Sequence, residues 1–438
     1  MDLAAAHLPA TSLLRLVDTI DRAAARPLSP TAVQTLRRHY PPHVAALIVA
    51  VAAEQRRARD KFGPGVWLVS AKAIRQATDQ VVATYKAGLL GSGPVLDLCG
   101  GIGGDAIALA RRGMVVTIDC DPQITAMAAA NLHLDRERQA AEKASLESSA
   151  GATPDQAIAI CADVTRYPIP GHVAVHIDPD RRPDQRRTVR PADYLPPLGF
   201  VERLVSARVA SIVKLAPAAE LAQEADGLKL TRRHHRQWIS LDLSVREQAL
   251  LCGEAIEAAG VTAGGRSAVR LLRNGAIQRF AIGPGESARL EHDDIRCDTT
   301  DTPPEFIFDF DPAVRGSGLS TALAEARGFA AIGAPTGFFG GSALPDDRSL
   351  LQCFQTLWSG PADRKQIKQE LRKNDWNLQS VKVRGSDHDP AQLQRALQPD
   401  QRSISKGHVS TGPTGVTLLI GRHARGVYAV LARAVSAV

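Results

Sequence analysis

Apolar residues fall at helical spacing up to about Leu90 and in short strand-like runs beyond it, so the chain changes character near its first quarter. The stretch "HVAALIVAVAAEQRRARDKF" starts as an almost wholly apolar helix and ends in a basic turn. "SAKAIRQATDQVVATYKAGLL" is amphipathic, with Ile74, Val81, Val82 and Tyr85 at helix-like spacing. Ser29-Pro30 opens a helix, with Ser as N-cap and Pro at the first helical position. Residues 1–90 are therefore expected to be a helical region that packs on, or closes over, the rest of the chain.

After Val95, strands and helices alternate, the pattern of a mostly parallel sheet. Expected strands are Val95–Cys99, Val115–Asp119, Ala157–Cys161, Val173–Asp178 and Val209–Leu215, with helices at Gln123–Leu134 and Leu198–Ala207. Trp238–Leu243, Ala249–Cys252, Ser267–Leu272 and Gln278–Ile282 read as strands that extend or finish the sheet. The polar segment 284–304, with Pro and Asp spread through it, is expected to be a linker. Residues 305–438 then read as a small α/β domain, with strand-like "FIFDFD", helices around Ala313–Ala326 and Lys365–Asn374, and a strand at Leu378–Arg384.

The corner between the two patterns is "VLDLCGGIGGDAIALA", Val95 to Ala110. An apolar run enters a bend of four glycines and a helix opens behind it, an arrangement that lets backbone approach a nucleotide-like ligand. Gly101-x-Gly103-x-x-Ala106 satisfies the dinucleotide pattern, and Asp97-x-x-x-Gly101-x-Gly103 the S-adenosylmethionine pattern. Asp119 ends the second strand and suits a ribose in either cofactor, because two carboxylate oxygens accept from two vicinal hydroxyls. Asp97 discriminates. A carboxylate beside a pyrophosphate is unfavourable, whereas a sulfonium amino acid brings an ammonium group and net positive charge. Asp163, in "CADVT", is placed to accept from an adenine amino group, and the fourth strand ends in Asp178 of "HIDPDRR". Each aspartate alone is as readily a helix cap or a turn residue. Four successive strands that end in one, at the edge where open parallel sheets bind ligands, point to S-adenosyl-L-methionine.

Those residues, with "YLPPL", "VKLAP", "FDFDPAVRGSGL" and "VKVRGSDHDPAQLQRAL", resemble the class I S-adenosylmethionine-dependent methyltransferases that carry a THUMP-like carboxyl-terminal domain. The likeness covers most of the chain, less clearly before residue 30, and its glycine corner is also similar to that of trimethylguanosine synthases. It implies a Rossmann-like methyltransferase domain over 91–283, preceded by the helical region and followed by the THUMP-like α/β domain. It further implies that Asp97, Gly101 and Gly103 line the methionine end, Asp119 the ribose and Asp163 the adenine.

Methyl transfer needs a positioned nucleophile more than activation of the electrophile. Amine-directed base methyltransferases often carry (D/N)-P-P-(Y/F) at the fourth strand; here the letters are Asp178-Pro179-Asp180-Arg181. Asp178 keeps the acceptor, while the second proline and the aromatic are missing. Arg181 offers a guanidinium plane that stacks on a base. Asp180 reads as a second acceptor, an arginine's partner or a turn residue. Lys214 of "VKLAP" points to the site beside Asp178 or snorkels to solvent. Tyr194 supplies an aromatic face or is structural. The absence of a Pro-Cys pair argues against a covalent cysteine route.

The net charge of +7 and pI of about 9.2 matter through their distribution. Arg181, Arg182, Arg186, Arg187 and Arg190 follow the expected catalytic turn, and Lys365, Lys368, Arg372, Lys373, Lys382 and Arg384 lie near the carboxyl end. Arginine forks suit phosphate, so a transfer or ribosomal RNA is the expected partner, with Arg181, Arg182, Arg186 and Arg187 in contact with it. Solvated faces with interspersed acids such as Asp184 and Asp193 are the competing account. A small-molecule or protein acceptor, a non-catalytic RNA-binding protein and a nucleotide-dependent oxidoreductase stay open as alternatives. Six cysteines without a C-x-x-C pair read as reduced thiols, His234-His235 has no ligand-spaced companion, and no apolar run reaches the length of a membrane span. Neither metal nor membrane is expected, the amino terminus does not read as a signal peptide, and the expected location is cytoplasmic.

Overall fold

The computed structural model describes residues 10–25, 29–145, 157–180, 190, 193–206, 208–219, 234–291, 296–334, 337–398 and 415–435. They divide into two compact units. The first takes residues up to Gln237 with Glu247–Gly264 and Leu272–Gly275; the second takes Trp238–Arg246, Gly265–Leu271 and everything from Ala276.

The first unit begins with helices α1 (Ala10–Ala24), α2 (Pro30–His39), α3 (Pro42–Phe62), α4 (Ala71–Gln76) and α5 (Gln80–Gly88). Ser29 caps α2 as its sequence suggests, its hydroxyl accepting from Ala32 N at 3.2 Å. The chain then alternates: β1 (Val95–Leu98), α6 (Gly104–Ala110), β2 (Val115–Asp119), α7 (Pro122–Ser145), β3 (Ala157–Cys161), β4 (Ala174–Ile177), α8 (Leu198–Ser206) and β5 (Ala210–Leu215). After β6 (His234–Leu241) and β7 (Ser244–Gly253), both divided between the units, comes α9 (Glu254–Ala258). The strand order is β3-β2-β1-β4-β5-β7-β6, with the first five parallel and β7 antiparallel to β5. This is the Rossmann-like sheet expected from the alternation. Helix α7 runs eleven residues past its expected end, because "DRERQAAEKAS" consists largely of good helix formers although its apolar period has stopped.

The amino-terminal helices belong to the sheet's own core. Ile20, Ile48, Trp67 and Ile74 pack with Ile102 and Ile107 behind the glycine bend and with Met127 and Leu132 of α7. Two buried amides pin this packing. Gln55 donates to Trp67 O at 2.8 Å and accepts from Trp67 N at 3.1 Å; Asn131 accepts from Leu68 N at 2.7 Å and donates to Leu68 O and Ile102 O at 3.0 Å each.

The second unit contains the antiparallel pair β8 (Arg266–Leu271) and β9 (Ile277–Ile282), then α10 (Pro284–Glu291). Helix α10 lies inside the stretch read as a linker, and the Glu286 carboxylate satisfies Gly283 N at 3.1 Å to start it. The chain continues with β10 (Thr299–Thr300), β11 (Phe306–Phe310), α11 (Pro312–Gly316), α12 (Ser320–Arg327), β12 (Ala330–Ile332), β13 (Phe339–Gly341), β14 (Leu351–Pro361), α13 (Arg364–Lys373), β15 (Asn377–Val383), α14 (Pro390–Leu397), β16 (Gly415–His423) and β17 (Gly426–Val435). Its eight-stranded sheet runs β10-β12-β13-β11-β14-β17-β16-β15.

Asn131→Ala leaves Leu68 N without its side-chain acceptor and two buried carbonyls without their amide donor. A loss of about 2–4 kcal/mol is expected, measurable by urea unfolding of the full chain.

Candidate active site

Strand order reverses between β1 and β4, where open parallel sheets place their ligand crevice. A pocket of about 610 Å³ lies at the carboxyl ends of these strands. Asp97, Asp119, Asp163, Asp178, Pro179 and Asp180 all line it, together with Cys99–Ile102, Gly104 and Asp105. The four aspartates expected at strand ends are thus brought together. Gly103 lies beside them as the left-handed N-cap of α6.

The bend reverses through three left-handed residues, Cys99 (φ 56°), Gly101 (φ 58°) and Gly103 (φ 88°). Such angles are open to glycine and costly for cysteine. Gly100 has an ordinary φ but is the tightest position: a Cβ there would collide with Thr117 Oγ1 and Asp97 Oδ2. The motif pattern picks out Gly101 and Gly103 and passes over Gly100, whose need appears only when β2 lies alongside.

The aspartates differ sharply in environment. Asp97 is fully buried and accepts from Thr117 Oγ1 at 2.9 Å; its Oδ1 lies 2.8 Å from His176 Nδ1. Register explains the row, since Asp97 pairs with Thr117 on β2 and with His176 on β4. Asp119 accepts Gly101 N and Asp121 N at 3.0 Å each, and burial pushes its pKa above the usual carboxylate value despite those bonds. Asp163 is exposed, and hydrogen bonds from the Thr165 hydroxyl and then the Thr165 backbone pull its pKa down.

Behind the bend lies a buried ionic cluster. The Lys86 ammonium sits at 2% exposure, 2.9 Å from Asp105 Oδ1, 2.9 Å from Glu247 Oε1 and 3.0 Å from His176 Nε2. Burial opposes its charge, yet the two carboxylates more than offset that and raise its pKa. Burial likewise opposes the Asp105 charge, and the ammonium groups of Lys86 and Lys214 drive its pKa well below the usual range. An ammonium only donates, so His176 Nε2 accepts from Lys86 and Nδ1–H faces Asp97. Asp105 continues the chain of contacts: Thr78 Oγ1 donates to its Oδ2 at 2.6 Å and accepts from Lys214 Nζ at 3.0 Å. Lys214 reaches Asp178 Oδ2 at 2.5 Å.

Lys214 does not snorkel to solvent: its side chain is 6% exposed and bound to Asp178, behind the residues that line the pocket. Asp180 is pinned through its backbone, its N donating to Leu195 O at 2.7 Å and its O accepting from Leu195 N at 3.0 Å. That bridge sets Leu195, Pro196 and Pro197 along the pocket, beside a turn that lacks the motif's aromatic. Tyr194 is not that aromatic. It is buried in the core, and its hydroxyl accepts from Ala216 N at 3.2 Å. Arg181, Arg182, Arg186 and Arg187 lie outside the described residues. His235 is buried with Nδ1 2.8 Å from Thr262 O, and among the described residues no group of three or more His, Cys, Asp or Glu is arranged to hold a metal. No described helix is long and apolar enough to cross a membrane.

Lys72, Gln76, Ala77 and Thr78 also line the pocket, and sequence reasoning does not assign them to the site. The available signal is "AKAIRQAT", a short helix whose carboxyl end turns directly into the next one. Lys86 is legible too, four residues after Val82 on the buried face of α5.

The pocket fits S-adenosylmethionine. Gly100 keeps a cradle open that a Cβ would fill, Asp119 presents a carboxylate at the tip of β2, and the further aspartates of the lining suit a cationic sulfonium amino acid.

No family model matches the chain. Two curated proteins from strains of Mycobacterium tuberculosis, CDC 1551 / Oshkosh and H37Rv, are each described as an uncharacterized S-adenosylmethionine-dependent methyltransferase. Each is 28% identical over 361 residues, covering 80% of this chain and 88% of the relative. The crystal structure of a "putative methyltransferase" from Porphyromonas gingivalis W83 superposes with a TM-score of 0.71 at 18% identity, over 98% of this chain and 100% of that one. Fold, pocket and relatives define an enzyme of the Rossmann-like, S-adenosylmethionine-dependent methyltransferase class. Within that class, the mycobacterial pair is similar to this chain over most of its length.

If Asp119 takes the cofactor ribose, its ionised form accepts from both vicinal hydroxyls and its protonated form accepts less strongly. Affinity for S-adenosylhomocysteine is therefore expected to fall as pH drops through the raised Asp119 pKa, above the ordinary value of about 3.9. Asp119→Asn binds more weakly at neutral pH and lacks that acid limb, as calorimetric titration across pH will read.

Proposed function

We propose that this S-adenosylmethionine-dependent methyltransferase acts on RNA, at a base of a transfer or ribosomal RNA. The observation that carries the catalytic part is Asp178, at the pocket mouth of β4 and 26% exposed, with one oxygen held by buried Lys214. When bound, the cofactor supplies an activated methyl carbon whose sulfur leaves as a neutral thioether.

The chain's own groups then have a positioning task. Lys214 occupies Asp178 Oδ2, which leaves Oδ1 for an acceptor N–H. That contact orients the nitrogen lone pair toward the methyl carbon, and the carboxylate takes the proton released as the nitrogen is alkylated. Pro179 is buried and stiffens the turn, and the Asp180–Leu195 bridge holds Leu195, Pro196 and Pro197 as the apolar wall for a planar base. Asp97, held by Thr117 and His176, supplies negative charge for the ammonium end, Gly101 and Gly103 shape the methionine end, Asp119 takes the ribose and Asp163 the adenine.

Cysteine chemistry has no part in this scheme. Cys99 lines the pocket, but burial together with Asp119, Asp178 and Asp97 raises its thiol pKa well above normal.

RNA as acceptor rests on the charge of the chain. Its net charge is +7, and five arginines between Arg181 and Arg190 directly follow the catalytic turn in sequence. Methyltransferases as a class also act on small molecules, proteins and DNA, so the acceptor is assayed openly: tritium from labelled S-adenosylmethionine is followed into RNA, protein and small-molecule fractions. Label confined to a fraction other than RNA overturns the acceptor and leaves the enzyme class standing.

Asp178→Ala is expected to lower transfer about 10²- to 10⁴-fold with cofactor affinity unchanged. Full activity in that variant removes Asp178 from catalysis. Arg186→Glu with Arg187→Glu is expected to weaken RNA binding and to flatten its log–log salt slope by about 0.7–0.9 per lost phosphate contact. A salt-independent interaction speaks against RNA.

A further inference from the structure

The second unit carries a cationic cluster that neither methyl transfer nor the cofactor pocket uses. Asp309, on β11, is 3% exposed, and its two oxygens take four donors. Oδ1 accepts from Arg315 Nη1 at 2.9 Å and Arg384 Nε at 3.1 Å; Oδ2 accepts from Lys382 Nζ at 2.8 Å and Arg384 Nη2 at 3.0 Å. The acid is saturated. Burial opposes its charge, and Arg315, Arg384 and Lys382 together hold its pKa below the usual carboxylate range.

The arrangement exceeds what pairing one buried acid requires. Arg384 alone grips both oxygens in a fork, which already satisfies the carboxylate. Arg315 and Lys382 then add two positive charges beyond the single negative one they share. The next acid along the chain, Asp311, feels both Arg270, whose Nε is 3.8 Å away, and Arg315, so four cations face two carboxylates and the surplus of two remains. The three cations are part-exposed, at 26%, 22% and 23% for Arg315, Lys382 and Arg384. Arg315 Nε and Nη2 have no partner among the described residues, and Gln352 takes a second Lys382 proton, which leaves the third. The Phe354 and Phe338 rings, each 5.7 Å away, back Lys382 and Arg384. Three strands, β14, β17 and β16, separate β11 from β15 in the sheet order, so the fold brings these cations together from well-separated elements.

We propose that Arg315, Lys382 and Arg384, gathered on Asp309, form a binding site for a phosphate group. Two surplus charges in fixed positions match a phosphate mono- or dianion, and the free guanidinium edge of Arg315 with the ammonium of Lys382 supplies donors of suitable geometry. The Asp309 carboxylate fixes the donors in advance, so little ordering remains to be done on binding. A polynucleotide backbone and a free phosphate present the same chemistry, and experiment separates them.

The double variant Arg315→Gln/Lys382→Gln removes the surplus charge and leaves Asp309 in the Arg384 fork, so the full chain is expected to fold. Thermal unfolding in sodium phosphate is compared with sodium chloride at matched ionic strength and pH. Phosphate is expected to raise the wild-type Tm above chloride, and the variant is expected to lose that increment. A fluorescein-labelled single-stranded RNA oligonucleotide forms the second arm. If the backbone is the ligand, the variant binds it at least about tenfold more weakly, with a salt slope smaller by about 0.7 per lost contact. If free phosphate is the ligand, only the first arm responds. Identical behaviour of wild type and variant in both arms overturns the proposal. The phosphate arm involves neither RNA nor methyl transfer, so its failure is separate from a failure of the RNA reading.

Discussion

One buried ammonium group organises the floor of the active site. Lys86 comes from the amino-terminal helices, Asp105 from the helix after the glycine bend, Glu247 from the antiparallel strand β7 and His176 from β4, and all meet within 3.0 Å of its nitrogen. Removing a partner from such a cluster leaves an uncompensated buried charge, which costs about 3–5 kcal/mol. The elements that carry these groups are thereby held in one arrangement. Asp97 inherits its orientation from this arrangement through His176, and Asp178 inherits its own through Thr78 and Lys214.

The consequence for chemistry is a division of labour among like residues. Of the aspartates that line the pocket, the four at strand ends each answer to different neighbours. Asp97 is locked by the strands on both sides of it, Asp119 is desolvated and bound to backbone amides, Asp163 faces water, and Asp178 shares a lysine. A reaction that only needs a lone pair aimed at an activated carbon gains from such fixed acceptors, because positioning is most of the work. The amino-terminal helical region, readable from sequence only as packing or lid, contributes to the pocket, with Thr78 linking the ionic floor to Lys214 and so to the end of β4.

The second unit applies the same device, a buried charge surrounded by its opposites, with the signs exchanged. Around Lys86 the carboxylates outnumber the ammonium, and the pocket above receives a cationic ligand. Around Asp309 the cations outnumber the acid. In both places a single buried charge fixes the position of opposite charges contributed by elements far apart in sequence.

Much of this architecture is written in local pattern. Apolar runs of four to six residues that alternate with amphipathic stretches are enough to specify a parallel sheet, and "VLDLCGGIGGDAIALA" locates its ligand corner because glycine takes the left-handed turn without strain. Strand-end aspartates are legible because the carboxyl edge of such a sheet is one place in space. Pattern leaves open every choice that depends on a neighbour across the sheet. Lys214 turns inward because Thr78 and Asp178 accept its protons there; Tyr194 turns into the core, where Ala216 N needs an acceptor. Gly100 is indispensable only because Thr117 and Asp97 occupy the space a Cβ would take, and Lys86 is charged in the interior only because carboxylates from two other elements converge on it. Periodicity reports which face of an element is buried. Which atoms meet there is decided by register and by packing between segments that the sequence keeps far apart.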